Sequence, residues 1–190
     1  HPYRILLVEG ALMGGYEHGL ETAVALVENL NNAHGQWLGK PVELMVVGRV
    51  AESVKHRWDA QTSIPLHWAG LVLPERIPEI NRRAHLLYSS DINAACPNAV
   101  IEAMACGLPV LAFDTGALPE LVTCDAGRVV PYGGDPWKLD TPDVPALTEA
   151  AVEILQNQPS FRTSARARAE AAFGLDAMVE GYLDVLTPGF

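Results

Sequence analysis

The chain has 190 residues, of which 49% are hydrophobic, and its formal net charge is −10. This length suits one domain with a substantial core, and the hydrophobic content excludes a disordered chain. The acidic balance argues against general nucleic-acid binding. The sequence has no apolar run long enough for a membrane span and no signal peptide, and its three cysteines lack metal-ligand spacing, so we expect a cytoplasmic protein with reduced thiols and no bound metal.

Apolar runs alternate with helical patterns along the first two thirds of the chain. The predicted strands are Tyr3–Val8, Val42–Val47, Ile64–Ala69, His85–Tyr88, Val110–Phe113 and Ala126–Pro131. The predicted helices between them are Leu20–Leu30, Ala51–Ala60, Pro74–Arg83 and Ala99–Ala105. This alternation predicts an α/β fold, a Rossmann-like doubly wound parallel sheet of about six strands flanked by helices.

The remainder of the chain predicts a surface loop followed by helices. Gly133–Pro145 is rich in Gly, Pro and Asp and is predicted to be the loop. Three helical patterns follow and are expected to close a single domain that spans residues 1–190: Ala146–Gln156, Ser160–Ala172 and Leu175–Leu186. The densest basic cluster, Arg162, Arg166 and Arg168, is interpreted as a solvated helix face.

A glycine-rich segment separates the first predicted strand from the first predicted helix. Glu9–Gly19 includes Gly14 and Gly15 and ends with His18-Gly19. A strand, a flexible loop and a helix N-terminus are the arrangement that directs backbone N–H groups at a phosphate. The segment is neither a Walker loop nor a regular GxGxxG motif. Arg49 ends the second predicted strand, and both a solvent-facing role and a ligand-binding role remain open for it.

A second candidate site follows the strand at His85–Tyr88. Asn98 is predicted to cap a helix over Ala99–Ala105, Gly107 to end it, and Val110–Phe113 to form the next strand. Strand, helix and strand in so short a stretch make a βαβ unit. Glu102 therefore lies close to the carboxyl ends of parallel strands, where open α/β sheets bind ligands.

The run Glu102-Ala103-Met104-Ala105-Cys106-Gly107-Leu108-Pro109-Val110 resembles the donor-site signature of the retaining glycosyltransferases of GT-B architecture (glycosyl transferases group 1, family 4-like). Cys96-Pro97-Asn98 is similar to one branch of that family. The resemblance implies one half of a GT-B architecture, the donor-binding domain, with an acceptor-binding domain that would precede His1. It implies a hexosyltransferase that moves a sugar from an NDP-sugar to an acceptor, with no cofactor and no metal requirement.

The resemblance also implies a set of donor-binding residues, while no catalytic residue is assigned in this domain. They are Gly14, Gly15, His18, Leu71, Asn98, Ala99, Val100 and Glu102. Glu102 would accept hydrogen bonds from the ribose, and the backbone at Leu71 would contact the base. Asn98, Ala99 and Val100 would offer N–H groups to the diphosphate or the sugar.

Three positions depart from the family pattern. Ala94 stands where the first of two paired glutamates is expected, with Asp91 nearby. Ala11 lies near the expected arginine, and His18 occupies the position of the expected lysine. Either the glycine backbone contacts more of the diphosphate, or the positive charge comes from elsewhere, or activity is weak or absent.

Two other functions remain as alternatives. One is an NDP-sugar epimerase or phosphorylase of the same fold. The other is a GT-B-like domain that binds a ligand or partner without catalysis, since fold alone does not fix function.

Overall fold

The structure is a computed structural model that describes residues 1–12, 17–33 and 38–187. Six parallel strands form one sheet in the order β3-β2-β1-β4-β5-β6. The strands are β1 Tyr3–Leu12, β2 Val42–Val50, β3 Leu66–Gly70, β4 Leu86–Tyr88, β5 Val110–Phe113 and β6 Gly127–Val130. This order is that of the dinucleotide-binding α/β folds, so the predicted fold class is confirmed.

Helices cover both faces of the sheet. They are α1 Glu17–Ala33, α2 Glu52–Gln61, α3 Ile77–Arg83, α4 Asn98–Ala105, α5 Leu118–Leu121, α6 Val144–Gln156, α7 Gln158–Ala172 and α8 Leu175–Leu186. Short 3-10 helices occupy Pro74–Arg76 and Pro136–Lys138. Within the described ranges, no helix is both long and apolar enough to cross a membrane.

The core lies on both faces of the sheet, as expected when every strand pair is parallel. Along β1, Ile5 and Leu7 are buried with α1 and α6 on one face, while Leu6 is buried with α3 and α4 on the other. Since successive side chains of a strand point to opposite faces, one continuous apolar run fills both layers. The apolar run that the sequence predicts at Tyr3–Val8 is therefore β1, one of the two central strands of the sheet.

The first strand is longer than the sequence predicts. It extends past Val8 to Leu12, and α1 already begins at Glu17. The cause is pairing with β2, because Ala11 and Leu12 lie opposite Arg49 and Val50. Most of the predicted glycine-rich loop is thus strand or helix. Gly14 and Gly15 lie outside the described residues.

A β-bulge interrupts the pairing of β1 with β2. Val8 pairs with Val47 and Ala11 with Arg49, so two residues of β1, Glu9 and Gly10, lie opposite Gly48 alone. Gly48 has a φ of +140°, and a Cβ built on it would lie 1.8 Å from the carbonyl oxygen of Glu9. The close approach of the two backbones therefore requires glycine at this position.

Helix α4 begins one residue earlier than predicted. Asn98 is its first helical residue and not its cap. Pro97, in an extended conformation with φ −74° and ψ 102°, is the N-cap and has no side-chain capping bond. The backbone of Pro97 already turns into the helix, because its carbonyl oxygen accepts from the N–H of Val100 at 3.0 Å. Gly107 follows the helix end, as predicted.

The sequence predicts a solvated face for the basic cluster of α7, and this prediction is wrong. The three arginines instead contact the C-terminal ends of other helices. Arg162 Nη1 donates to the carbonyl oxygen of Ala84, directly after α3, at 2.9 Å. Arg166 donates to Ala105 at the end of α4, and Arg168 Nε donates to Leu121 at the end of α5 at 3.1 Å. Each guanidinium meets carbonyl groups that lack helical partners and the negative end of a helix dipole. The periodicity of α7 predicts the shared face but not the helix ends opposite it.

Helix α8 does not close the domain, contrary to the prediction. None of its residues is buried. Its apolar side chains are all exposed: Leu175, Met178, Val179, Tyr182, Leu183, Val185 and Leu186. Helical periodicity identifies an apolar face but does not specify what covers it. Helices α6 and α7 do bury Leu155, Phe161 and Ala165, as expected.

The bulge should be sensitive to one added methyl group. We predict that Gly48→Ala lowers the free energy of unfolding by about 2 kcal/mol or more, because the new Cβ combines a left-handed φ with a backbone overlap. Denaturant titration measures this change. The matched control is Gly181→Ala, where nothing lies within 4 Å of the added Cβ inside α8, and it should be neutral or stabilising by at most about 1 kcal/mol. Equal stabilities of the two variants would contradict this interpretation of the bulge.

Candidate ligand site at the carboxyl edge of the sheet

The strand order creates a crevice between β1 and β4. From β1 the chain moves outward through β2 to β3, and it then returns to place β4 on the other side of β1. The connections after β1 and β4 therefore diverge, which is the topological switch point where doubly wound sheets bind ligands. A cavity of about 440 Å³ lies here. It is lined by His18, Gly19, Ser90, Asp91, Ile92, Asn93, Ala94 and Leu139.

The first turn of α1 approaches the loop after β4 closely. A Cβ built on Gly19 would lie 2.4 Å from Cβ of Ser90. Glycine at this position therefore lets the N-terminus of α1 reach the crevice, where the N–H groups and the positive dipole end of a helix favour an anion.

His18 lies at the cavity but is already held by a neighbour. Its Nε2 is 3.2 Å from the hydroxyl oxygen of Tyr132, and that hydroxyl donates to the carbonyl oxygen of Asp140 at 2.8 Å. Because the hydroxyl has one proton to give, it must accept from His18, and Nε2 carries a proton. Only Nδ1 remains, at 3.8 Å from Glu21 Oε2. A neutral His18 thus has no further N–H to offer a phosphate.

The loop after β6 supplies a wall of the cavity that the sequence prediction missed. Leu139 lines the cavity and adopts a left-handed backbone with φ +54°, an uncommon conformation for a leucine. The bond from Tyr132 to Asp140 holds the loop over α1, and Asp140 Oδ2 accepts from the backbone N–H of Asp135 at 2.9 Å. The composition of Gly133–Pro145 predicts a loop but not the place to which it folds.

Two carboxyl groups with raised pKa values lie at the same edge. Burial raises the pKa of the Glu9 carboxyl, a hydrogen bond from Ser90 Oγ opposes the rise, and the charge of Asp91 adds to it. Burial also raises the pKa of Asp91, which lines the cavity. Sequence reasoning named Asp91 only as a neighbour of Ala94 and did not select Glu9. Perturbed carboxyl groups in a cleft are typical of functional sites.

The predicted donor-binding residues occupy three places along this edge. His18 lines the cavity, and Leu71 directly follows β3 with 64% of its surface exposed. Asn98, Ala99, Val100 and Glu102 form the first turns of α4, which follows the loop after β4. Since all strands are parallel, their carboxyl ends share one edge of the sheet, and so do these connections.

The first turns of α4 differ in what they can offer a ligand. The backbone N–H of Val100 donates to Pro97, and its side chain is 1% exposed. The N–H groups of Asn98 and Ala99 have no partner among the described residues. The side chain of Glu102 is exposed, and its carboxylate makes no hydrogen bond or ion pair in the described part of the chain. The first turns of α4 therefore have two N–H groups without a partner among the described residues and one exposed carboxylate.

No cluster of three or more His, Cys, Asp or Glu side chains with a metal-binding arrangement occurs within residues 1–12, 17–33 and 38–187. The described groups at this edge offer hydrogen bonds through N–H groups at helix N-termini and through the carboxyl groups of Glu9, Asp91 and Glu102.

Residues 4–157 match the family described as glycosyl transferases group 1. The match covers most of the chain, so the chain belongs to this family. The family named from the run at Glu102–Val110 is thereby confirmed.

Among curated proteins, the chain is similar to the GDP-mannose-dependent monoacylated alpha-(1-6)-phosphatidylinositol monomannoside mannosyltransferase of Corynebacterium glutamicum. The two are 33% identical over 89 residues, which is 45% of this chain and 21% of that relative. The match therefore covers about a fifth of the relative's length.

Solved glycosyltransferase structures share the fold. A TarM variant from S. aureus, in complex with fondaparinux, alpha-GlcNAc-glycerol and UDP, has a TM-score of 0.72 at 14% identity over 98% of this chain and 36% of its own. Sucrose-phosphate synthase of Thermosynechococcus elongatus has a TM-score of 0.71 at 22% identity over 97% of this chain and 46% of its own. WaaG, a glycosyltransferase involved in lipopolysaccharide biosynthesis, has a TM-score of 0.67 at 21% identity over 100% of this chain and 48% of its own. The chain thus spans less than half the length of each of these structures. It has the GT-B type of α/β fold.

The raised pKa of Glu9 predicts a pH-dependent stability. Because its carboxyl binds a proton more tightly in the folded than in the unfolded chain, its contribution to stability falls as the pH rises from the ordinary glutamate pKa of about 4.3 through the raised folded value. Glu9→Gln cannot ionise and keeps an oxygen to accept from Ser90. The unfolding free energy of the variant minus that of the wild type should therefore increase with pH across this window. Denaturant titrations at pH 4 and pH 7 measure it, and a decrease would contradict the burial of Glu9.

Proposed function

We propose that this chain is the donor-binding domain of a retaining glycosyltransferase and that it binds a nucleoside diphosphate sugar at the carboxyl edge of its sheet. The observation that carries the proposal is the cavity at the switch point between β1 and β4, lined by the first turn of α1 and by the loop that leads from β4 to α4. The family supports a sugar-nucleotide donor. The UDP in the TarM structure and the GDP-mannose in the relative's name support a nucleoside diphosphate.

In this proposal Glu102 accepts hydrogen bonds from the ribose hydroxyls. The structure supports this role because Glu102 is exposed and free to accept. The N–H groups of Asn98 and Ala99 bind the diphosphate or the sugar, and Leu71 contacts the base. Val100 has a packing role instead, since its N–H is bonded to Pro97.

Ligand-dependent stabilisation tests the proposed function. A ligand that binds only the folded chain raises its apparent stability by an amount that grows with ligand concentration. We expect a saturable rise in the unfolding midpoint with at least one of UDP, GDP and ADP, and a further change with the matching sugar nucleotide. No rise with any of them would overturn the proposal.

Glu102→Gln isolates the ribose contact. The exchange keeps the shape of the side chain and removes its charge, and a hydrogen bond to a charged group contributes about 1.5–3 kcal/mol. Calorimetry should therefore show affinity for the nucleoside diphosphate reduced about tenfold or more. Glu180→Gln, the same exchange on exposed α8, is the control and should bind like the wild type. An unchanged affinity for Glu102→Gln would remove Glu102 from the site.

We further propose that the acceptor is bound by a part of the enzyme outside these residues, because the solved relatives are more than twice as long as this chain. Transfer needs both reactants held in register, an effect worth about 7–11 kcal/mol when fully realised. The isolated chain should therefore show no sugar transfer onto a simple acceptor in a product assay. Clear turnover by this chain alone would contradict the two-part site.

One observation favours a second candidate, a domain that binds a ligand without catalysis. Glu9 and Asp91 make this edge acidic, while Ala11 and His18 replace the expected cations. A carboxylate repels a diphosphate unless a cation intervenes. The change in the unfolding midpoint on ligand addition separates the two candidates. An uncharged sugar would raise the midpoint of this alternative domain, and a nucleoside diphosphate would not.

A further inference from the structure

Strand β2 carries Arg49 beside Ala11 of β1, the residue near which the family pattern has an arginine. Ala11, which lies near the expected arginine, is the register partner of Arg49 on β2. Neighbouring strands lie about 4.8 Å apart, and directly paired residues of a parallel sheet point to the same face. The side chain of Arg49 therefore starts one strand away from the expected position and on the same face as Ala11.

The bulge is what creates this pairing. Because Glu9 and Gly10 together face Gly48, residues after the bulge are shifted by one relative to those before it. Without the extra residue, Gly10 and not Ala11 would lie opposite Arg49. Bulges of this kind redirect side chains next to functional sites.

The guanidinium of Arg49 is available for a ligand. The side chain of Arg49 is exposed and makes no hydrogen bond or ion pair with any described residue. The segments 13–16 and 34–37 contain no Asp or Glu. By contrast Arg57, on the helix after β2, is held by Glu17 at 2.6 Å.

The other basic group at the cavity is less able to bind a phosphate. His18 uses Nε2 for Tyr132, so as a neutral side chain it has no N–H left for a ligand. Arginine stays charged and presents planar paired donors that match the oxygens of a phosphate. Arg49 does not line the cavity itself, but it is the penultimate residue of β2 and so lies at the same carboxyl edge of the sheet, one strand from β1.

We propose that Arg49 binds the diphosphate of the donor and replaces the cations that this chain lacks at Ala11 and His18. This inference rests on the proposed function, since it assigns a residue to the diphosphate part of the same ligand.

Calorimetry on the whole chain tests it with UDP, GDP and ADP, and with the corresponding nucleosides. Arg49→Gln should weaken binding of the preferred diphosphate about tenfold or more, because charge-assisted bonds are lost. It should leave binding of the nucleoside unchanged. Arg49→Lys should retain part of the affinity, since the charge remains but the paired donors do not.

Arg82→Gln is the matched control, because it removes the same charge from an exposed arginine on α3 that leads into the amino end of β4, the opposite edge of the sheet. It should bind the diphosphate like the wild type. The unfolding midpoint of each variant without ligand shows that the fold is retained.

Three results would overturn the inference. If the wild type binds a diphosphate and Arg49→Gln binds it equally well, Arg49 is a solvated strand end. If Arg49→Gln loses nucleoside affinity to the same extent, its effect is not on the diphosphate. In both cases only this inference fails. If the wild type binds none of the three diphosphates, the proposed function fails and the role of Arg49 fails with it.

Discussion

The close backbone contact between β1 and β2 is the constraint on which the carboxyl edge depends. The carbonyl oxygen of Glu9 lies so close to Gly48 that a Cβ built there would be 1.8 Å from it, and the bulge sets Ala11 and Leu12 opposite Arg49 and Val50. β1 then continues to Leu12, so α1 starts close to the sheet. Gly19 provides the second close approach, against Ser90, and together the two glycines bring a helix N-terminus to the switch point.

The charges along this edge are unevenly distributed. Glu9 and Asp91 lie on the side of β1 and β4, and their raised pKa values show that burial makes both carboxylates costly to ionise. Arg49 lies on β2, on the other side of β1 from β4, while the first turn of α1 lies against Ser90 after β4. If Arg49 binds the diphosphate as proposed, a sugar nucleotide would lie with its diphosphate toward β2. This separation distinguishes the site from a uniformly basic phosphate site.

The parts of the structure that follow from local sequence were predictable. Alternating apolar and helical patterns predict the sheet, and the run from Glu102 to Val110 predicts the βαβ unit and the family. Contacts between distant segments were not predictable in this way. Leu139 lines the cavity from a loop that Tyr132 binds through Asp140, and the arginines of α7 contact the ends of three other helices. The apolar pattern of α8 likewise contains no information about what covers it.

The central claim is that a nucleoside diphosphate binds where β1 and β4 diverge. Amide chemical shifts of the isotope-labelled chain, followed by NMR during titration with the diphosphate that stabilises it most, test this claim directly. The account predicts saturable shifts concentrated at Gly19, at residues 90–94 and in the first turns of α4. Shifts concentrated at the opposite edge, around the cavity lined by Arg4, Arg83 and His85, would contradict it.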